Sequence, residues 1–402
     1  MQRIVAIIGT LDTKGVEYKF LKDQLEANGV STLVIDTGIV GEPTFPPDIS
    51  ASQVARAAGA DLNKLIKERD RGHSVTVMSQ GAAAIVKDLY SKGRVHGVIA
   101  MGGSAGTTIG TTAMRALPIG IPKLMVSTLA SGNTRPYVGT KDVTMMPSIV
   151  DMSGINRLSE LILANAAGAI AGMVKVRVKP RVRDKPLIAA TMFGVTTSCV
   201  TKAREILEAA GYEVLVFHCN GIGGRTMEDL IRSGFIKGVL DITTTELADE
   251  VGGGLLSAGP SRLEAAGELG IPQVVSAGAL DMINFGLPET VPAKFKGRKF
   301  YQHNPTVTLM RTTKEENEQL GKMIAEKLNR ARGPAIFIMP KKGVSLIDKE
   351  GEPFYDVAAD AAFLQSLKDN LGDKVRLVEM DTDINDPQFA TKAANLLLEN
   401  LK

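Results

Sequence analysis

A segment close to the start of the sequence, residues 9–15, carries side chains that suit phosphate binding between two glycines. Lys14 could neutralise a phosphate as a point charge, and backbone amides at the start of a following helix would favour an anion. Asp12 could hold Mg²⁺, directly or through water, because that ion prefers carboxylate and phosphate oxygens. Thr10 and Thr13 add two hydroxyl groups. The alternative is structural, with Asp12 or Thr13 capping the helix.

A second segment of this kind, residues 102–108, is richer in glycine. Its residues are Gly102, Gly103, Ser104, Ala105, Gly106, Thr107 and Thr108. Glycines let a backbone approach a phosphate closely, and the hydroxyl side chains add hydrogen-bond donors. The segment matches neither the P-loop pattern nor GxGxxG, and close packing of a helix on a strand would also explain its glycines. The hydroxyl groups favour the binding interpretation.

A third turn, residues 128–133, is small and rich in hydroxyl groups, and it includes Ser131 and Gly132. An ordinary loop has a similar composition. Three such turns at successive strand ends nevertheless favour a shared function over coincidence. Asp36 ends another predicted strand, where a dinucleotide-binding fold holds a ribose hydroxyl. A solvated turn carboxylate is the alternative for Asp36. Together these features predict that the first half binds a phosphate-bearing ligand at the edge of a parallel sheet.

Alternating strands and helices position these turns. Short apolar runs predict strands at residues 4–8, 32–36, 95–101, 123–127 and 143–145. Helical spacing predicts helices at residues 17–27, 51–58, 62–69, 80–92, 107–116 and 157–174. Residues 74–78 suit either a strand or the entry to a helix. Strand–helix–strand units require a parallel sheet, and ligands bind outside the carboxyl ends of its strands.

The pattern starts again after residues 175–185, a segment rich in Lys, Arg and Pro that predicts a linker. Residues 187–217 repeat the order of strand, turn, helix and strand seen in residues 4–36. The repeat indicates an internal duplication, although all doubly wound domains share this pattern. Predicted strands at residues 335–339 and 375–379 either complete the second sheet or cross back to the first.

The fold class that follows is α/β, with two doubly wound, Rossmann-like parallel-sheet domains and a cleft between them. The first domain is predicted to span residues 1–178, and the second to span residues 184–402. The first would bind the phosphate-bearing ligand, and the second would offer a separate small-molecule site.

The strand ends of the second half carry different chemistry. The candidate catalytic residues there are His218, Arg225, Glu246 and Asp281. Two acids, an imidazole and a guanidinium on one rim could perform acid–base chemistry, or bind a small anionic metabolite through Arg225. A metal is less favoured because no HxxxH or HxH spacing is present. Structural alternatives are a hydrogen-bonded His218 and a helix cap for Glu246.

Residues 294–301 form a basic run with interleaved aromatic side chains. Such a run could contact an anionic ligand, or RNA, although it is usually a solvated loop.

The composition narrows the class of protein. The 402 residues include 47 basic and 44 acidic side chains, for a net charge of +3, so nucleic acid is an improbable partner. Cys199 and Cys219 are the two cysteines, which predicts a reducing, cytoplasmic location and no disulfide framework. The apolar run at residues 4–8 is too short for a signal peptide, and no 18-residue apolar stretch predicts a membrane span.

The three turns of the first half resemble the motifs of the tomato mosaic virus resistance protein-like ATP-binding family. The matching segments are residues 10–15, 102–107 and 127–132, and the resemblance extends over nearly the whole chain. It implies an ATP-binding first domain, a second α/β domain and a homodimer. The residues that it implies near the nucleotide are Thr10, Asp12, Thr13, Lys14, Gly103, Ser104, Gly106, Thr107, Ser131 and Gly132.

Two functional hypotheses follow from the residues and the resemblance. One is an enzyme dependent on ATP and Mg²⁺ that acts on a small acidic metabolite at the cleft between the domains. The other is a non-catalytic, regulatory ATP-binding protein whose conformation or dimer is set by the nucleotide. Consumption of ATP that depends on a second ligand would separate them.

Overall fold

The computed structural model describes residues 3–178 and 185–401. The chain divides into two compact units, Met1–Lys179 and Pro180–Lys402. Most of the predicted linker, residues 179–184, lies outside the described residues.

The first unit is built on a parallel sheet of five strands. The strands are β1 (Ile4–Gly9), β2 (Ser31–Asp36), β3 (Gly97–Gly102), β4 (Lys123–Ser127) and β5 (Thr144–Pro147). Their order in the sheet is β2-β1-β3-β4-β5, and every pair is parallel. The apolar runs that predicted β1 and β3 are buried, as expected of strands covered on both faces.

Helices cover both faces of this sheet. They are α1 (Leu11–Ala27), α2 (Ala51–Ala57), α3 (Leu62–Glu68), α4 (Arg71–Ser91), α5 (Ser104–Arg115), α6 (Arg135–Val138) and α7 (Arg157–Lys175). One face packs against α2, α4 and α5, and the other packs against α1 and α7. The carboxyl ends of β1 and β3 therefore lead directly into α1 and α5.

Helices α1 and α4 begin well before their predicted starts at residues 17 and 80. Helix α1 begins at Leu11 rather than residue 17, because the buried Leu11 already packs in the core directly after the β1 turn. Residues 74–78 lie inside α4, which begins after the capping residue Asp70. Val77 and Met78 face the core there, so tertiary packing outweighs the strand preference of the β-branched residues.

Helix α7 has the length and the apolar composition of a membrane-crossing helix, as no other described helix does. In this fold its apolar stripe, which includes Leu163 and Ile170, is buried against the strands of the first sheet.

The second unit holds a parallel sheet of six strands and a small antiparallel sheet. The strands of this unit are β6 (Leu187–Met192), β7 (Glu213–His218), β8 (Ile236–Thr243), β9 (Gln273–Gly278), β10 (Met282–Phe285), β11 (Phe300–Asn304), β12 (Val307–Arg311), β13 (Ala335–Pro340) and β14 (Val375–Met380). The parallel order is β14-β13-β9-β8-β6-β7, and the antiparallel order is β10-β12-β11. Both C-terminal strands thus complete the second sheet.

Seven α-helices are assigned within the described part of this unit. They are α8 (Thr197–Ala209), α9 (Ile222–Arg232), α10 (Thr245–Gly252), α11 (Ala265–Leu269), α12 (Lys314–Asn329), α13 (Val357–Asn370) and α14 (Pro387–Asn400). Short 3₁₀ turns occur at Gly194–Thr196, Pro288–Thr290 and Ala293–Phe295.

The two parallel sheets share one strand order. Strands β7-β6-β8-β9-β13 of the second unit occupy the places of β2-β1-β3-β4-β5 in the first. The predicted fold class of two Rossmann-like parallel sheets is thereby confirmed. The antiparallel sheet was not predicted; its short strands lie between β9 and α12, where the sequence lacks a helical period.

Candidate functional site

A cavity of about 810 Å³ opens in the first unit at the carboxyl ends of β1 and β3. The predicted residues that line it are Thr10, Asp12, Thr13, Lys14, Gly102, Gly103, Ser104 and Gly106. Two of the three predicted turns therefore meet at one cavity, as the position of ligands in open parallel sheets requires.

The first turn contributes polar groups that are fixed by short-range contacts. The Thr13 hydroxyl donates to Thr10 Oγ1 at 2.9 Å. Lys14 Nζ donates to the backbone carbonyl oxygen of Met152, which holds the ammonium group beside the cavity. Because α1 begins at Leu11, Asp12 and Thr13 lie within its first turn, and the predicted cap by either residue does not form.

Asp12 fastens the loop that follows β2. Its Oδ2 accepts hydrogen bonds from the backbone amides of Val40 at 2.7 Å and Gly41 at 3.2 Å. The carboxylate also packs on Gly38, where an added Cβ would lie 2.5 Å from Asp12 Cγ, so only glycine fits. Asp12 thus positions one wall of the cavity through its carboxylate.

Asp36 serves a different purpose from the predicted ribose contact. Its Oδ1 accepts from the amides of Leu11 at 3.1 Å and Gly38 at 2.9 Å, so it caps α1 from a neighbouring strand. The side chain is 3% exposed and does not line the cavity. Burial raises the pKa of Asp36, and the backbone hydrogen bonds act against that rise.

The second turn forms the start of α5. Gly103 occupies the N-cap position, and no side chain caps the first backbone amides of the helix. Gly103, Ser104 and Ala105 at this helix start line the cavity. Gly102 has φ of +149°, a conformation that favours glycine. At Gly106 an added Cβ would lie 2.9 Å from the Met101 carbonyl oxygen. A helix N-terminus with these features is suited to an anion.

Other members of the predicted set lie away from the cavity wall. Thr107 is buried, and its hydroxyl pairs with Ser127 Oγ at 2.6 Å. The Thr108 hydroxyl donates to the Ser104 carbonyl oxygen within α5. Ser131 and Gly132 are exposed in the third turn and do not line the cavity.

Thr37 lines the cavity, although no sequence pattern marks it. Thr37 is 2% exposed, yet its Oγ1 has no hydrogen-bond partner among the described residues. Asp12 Oδ1, on the same wall, is likewise buried without a partner. Buried polar atoms are normally paired, so two orphans at one cavity point to a ligand or water that completes them.

The junction of α3 and α4 was also missed, because it follows no strand. It contributes Arg69, Asp70, Arg71 and an apolar group comprising Leu65, Ile66, Val75 and Met78. Arg69 has φ of +53°, which is uncommon for a residue with a side chain. The cavity lining therefore combines polar, glycine-rich turns with apolar side chains and with charged groups of both signs.

In the second unit, Glu246 belongs to a buried ion cluster. Arg262 donates from Nη1 and Nη2 to Asp241 at 2.5 and 2.7 Å, and from Nε to Glu246 at 2.7 Å. Glu228 approaches the same guanidinium at 3.7 Å. Glu246 Oε1 accepts from the amide of Gly221 at 2.7 Å, so both of its oxygens are engaged. The geometry gives Glu246 a structural role in place of the predicted catalytic one.

The other three predicted residues are dispersed. Asp281 is buried in a second cluster, where it accepts a hydrogen bond from Ser345 Oγ at 2.8 Å. Arg225 is exposed and donates to the Gly221 carbonyl oxygen at 3.1 Å. His218 is exposed and stacks on Phe193, with 5.2 Å between ring centroids. Of the four predicted residues, only Arg225 and His218 are thus open to a ligand.

Across residues 3–178 and 185–401, no group of three His, Cys, Asp or Glu side chains is arranged to hold a metal.

Fold and cavity together define a two-domain, Rossmann-like α/β protein with a glycine-lined site in its first domain. Two family models match the chain: the N-terminal domain of the uncharacterised protein family UPF0261 at residues 3–179, and its C-terminal domain at residues 185–401. The chain therefore belongs to the UPF0261 family.

Relatives extend over both domains. A UPF0261 protein of Clostridium tetani is 58% identical and covers 100% of both chains. The ToMV resistance protein Tm-1(GCR237) of Solanum lycopersicum is 41% identical over 98% of this chain and 55% of the tomato protein. The chain therefore spans about half of that relative, and the family resemblance inferred from the motifs is confirmed.

Solved structures give a more distant likeness. A UDP-N-acetylglucosamine 2-epimerase from Rickettsia bellii is 10% identical, with a TM-score of 0.24, over 100% of this chain and 97% of the epimerase. At this score the likeness carries no argument about function.

Proposed function

We propose that the protein binds ATP, accompanied by Mg²⁺, in the cavity of the first unit. The observation that carries the proposal is the uncapped start of α5 in the lining of a cavity that also includes apolar side chains. Phosphates would lie against Gly103 and Ser104, where amides and the helix dipole favour negative charge. Ile66 and Met78 would lie against the base, since ligand pockets combine apolar walls with few polar groups.

The cation would be held mainly by phosphate oxygens and water. Mg²⁺ is commonly bound through one or two carboxylates together with substrate phosphates. Asp12 Oδ1 fits this requirement, because it is the carboxylate oxygen of the first turn that lacks a described partner. Lys14 and Arg71 would supply further positive charge at the cavity.

Substitution Ala105→Glu tests the site. Ala105 lines the cavity in the first turn of α5, so the new carboxylate would oppose the phosphates and weaken ATP binding. A unit charge about 8 Å away costs about 2 kcal/mol at an effective dielectric constant near 20. We expect calorimetric titration with Mg-ATP to show the dissociation constant raised at least about tenfold.

The matched control is Ala27→Glu, at the exposed last residue of α1. It adds the same charge away from the cavity, and its dissociation constant should stay within about twofold of the wild-type value. Equal affinities for the wild type and Ala105→Glu would reject this location. An absence of saturable binding to the wild type would reject ATP as the ligand.

The enzymatic hypothesis requires a second ligand, a small anionic metabolite. Exposed Arg225 and His218 of the second unit remain candidates for holding it. ATP consumption that depends on such a compound would support an enzyme. Saturable ATP binding without ATP consumption would favour the alternative of a regulatory ATP-binding protein.

Both cysteines are buried free thiols, which supports the proposal of a reducing, cytoplasmic location.

We also propose a homodimer formed through the outer surface of α1 and α7. These helices pack on each other, and their exposed side includes Val16, Leu158 and Leu161. Leu158 is 52% exposed and Leu161 is 63% exposed, and their spacing of three places them on one face of α7. Exposed apolar groups that cluster in this way mark interaction surfaces.

Leu161→Glu should therefore convert a dimer into a monomer, because it would bury a charge in the interface. Size-exclusion chromatography with light scattering measures the mass directly. Leu269→Glu, at a leucine of similar exposure in α11, is the control and should leave the dimer intact. A monomeric wild type at tens of micromolar would contradict the proposal, as would a dimer that tolerates Leu161→Glu.

A further inference from the structure

A groove of about 540 Å³ lies on the second unit beside the antiparallel sheet. One wall is the strand β11, whose Phe300 and Gln302 face the groove. The other wall is the segment between β10 and β11, including Pro292, Ala293 and Lys296. The basic run of residues 294–301, which the proposed ATP site does not use, begins in this segment and ends in β11.

The groove is preformed by contacts beneath it. Phe295 is buried and packs against Phe285, with 5.4 Å between ring centroids. Arg298 lies over the Phe295 ring and donates to Glu316 Oε2 at 2.7 Å and to the Arg311 carbonyl oxygen at 2.7 Å. Since these contacts fix the segment, a ligand would not have to order it.

The lining is mainly apolar with a single cationic group. Pro288, Val291, Pro292, Ala293, Phe295 and Phe300 supply the apolar surface. Lys296 is the charged lining residue, and its ammonium group has no ion pair with the described residues. Arg298 of the same run is neutralised by Glu316 and does not line the groove.

A polar atom at the wall also lacks a partner. Thr308 lies opposite Gln302 in the β11–β12 register and lines the groove. It is 4% exposed, and its Oγ1 has no described hydrogen-bond partner. Gln302 is exposed and also lines the groove, so its amide lies on the same wall as this hydroxyl.

We propose that this groove binds a small monocarboxylic acid with an aliphatic or aromatic body. The apolar lining suits the body, Lys296 pairs with the carboxylate, and the Thr308 hydroxyl and the Gln302 amide offer hydrogen bonds. One lysine matches a singly charged head group better than a phosphate dianion. This site is independent of the proposed ATP site, because all of its residues belong to the second unit.

Octanoate is the probe, titrated calorimetrically into the full chain, with octylammonium and 1-octanol as comparison ligands. We expect saturable binding of octanoate, no binding of octylammonium, and an affinity for 1-octanol lower by about fivefold or more. Lys296→Gln should weaken octanoate binding about fivefold, since a charge-assisted hydrogen bond is lost and solvent screening limits the effect. Lys299→Gln, in the same run but outside the lining, should change it less than twofold.

Ala293→Trp fills the groove and should abolish binding without changing the midpoint of urea unfolding. Gln302→Trp, on the opposite wall, repeats the test if the first variant is destabilised. Absence of saturable binding to the wild type would overturn the proposal. Octanoate affinity that is unchanged by Lys296→Gln, or retained in both folded tryptophan variants, would overturn it as well.

Discussion

Arg262→Ala should lower the free energy of unfolding of the second unit by about 3–5 kcal/mol, the usual effect of removing one partner from a buried ion pair. The guanidinium is fully buried and holds Asp241 and Glu246 at hydrogen-bonding distance, with Glu228 next to them. Without it, Asp241 and Glu246 would lose their cationic partner in the core, and Glu228 would keep only the more distant Arg232, at 3.8 Å. The loss comes mainly from those uncompensated charges, not from the contacts themselves.

Arg262→Lys would separate charge from geometry. Lysine keeps the positive charge but cannot donate to Asp241 and Glu246 in the same forked arrangement. We expect Arg262→Lys to lower the free energy of unfolding, but by less than Arg262→Ala does. Arg204→Ala is the control, because Arg204 forms a surface ion pair with Glu208 and should contribute less than about 1 kcal/mol.

Urea unfolding followed by circular dichroism measures the total change. Hydrogen exchange of the β8 amides assigns it to the second unit, because these amides open only when its core does. Losses of similar size for Arg262→Ala and Arg204→Ala would contradict this account of the cluster.

The position of the cavity, at the carboxyl ends of β1 and β3, could be predicted because it depends on local sequence patterns. Apolar runs define β1 and β3, and glycine with hydroxyl residues follows each strand directly. Parallel pairing then brings those turns together, since carboxyl ends of neighbouring strands meet. The positions of Thr10, Lys14 and Ser104 at one cavity follow from these rules alone.

The role of Asp36 could not be read in the same way. A carboxylate at the end of β2 suits a ribose contact or a cap on α1, and the choice depends on the register between β1 and β2. In the structure Gly9 lies opposite Asp36, which brings the Leu11 amide within reach of the carboxylate. A sequence pattern contains no information on that distance.

The second unit was harder to predict because its ionic residues pair over long separations. Arg262 lies in an irregular segment between α10 and α11, so no period or motif marks it. Its partners Asp241 and Glu246 stand at a strand end and a helix start, where catalytic residues are also found. Burial alone separates the two roles here, and burial of a charged side chain depends on its partner.

The second cluster of the same unit predicts a dependence of stability on pH. Arg311 Nη2 donates to Asp360 Oδ1 at 2.7 Å and to Asp348 Oδ1 at 3.2 Å, and Asp281 lies in the same cluster. One guanidinium therefore faces three carboxyl groups. Burial, together with the charge of Asp348, raises the pKa of Asp360 to about 7 and raises the pKa of Asp281 well above its usual range.

The direction of the effect follows from these shifts. An unfolded aspartate has a pKa of about 3.9, so between about pH 4 and pH 7 the folded state binds more protons than the unfolded state. The contribution of Asp360 to the free energy of unfolding is then fully present below about pH 4, and it is lost as the pH rises through about 7. One such group changes stability by up to about 1.4 kcal/mol per pH unit, so we expect a loss of about 1–2 kcal/mol from pH 5 to pH 7.

Asp360→Asn should flatten this dependence, because an amide does not titrate. Urea unfolding at pH 5, 6, 7 and 8 measures the slope for the wild type and the variant. Asp369→Asn, at an exposed position of α13, is the control and should keep the wild-type slope. Asp249, whose pKa burial raises to about 7, acts in the same direction and would leave a residual slope in Asp360→Asn. Parallel curves for the wild type and Asp360→Asn would show instead that Asp360 is ionised throughout this range, held by Arg311.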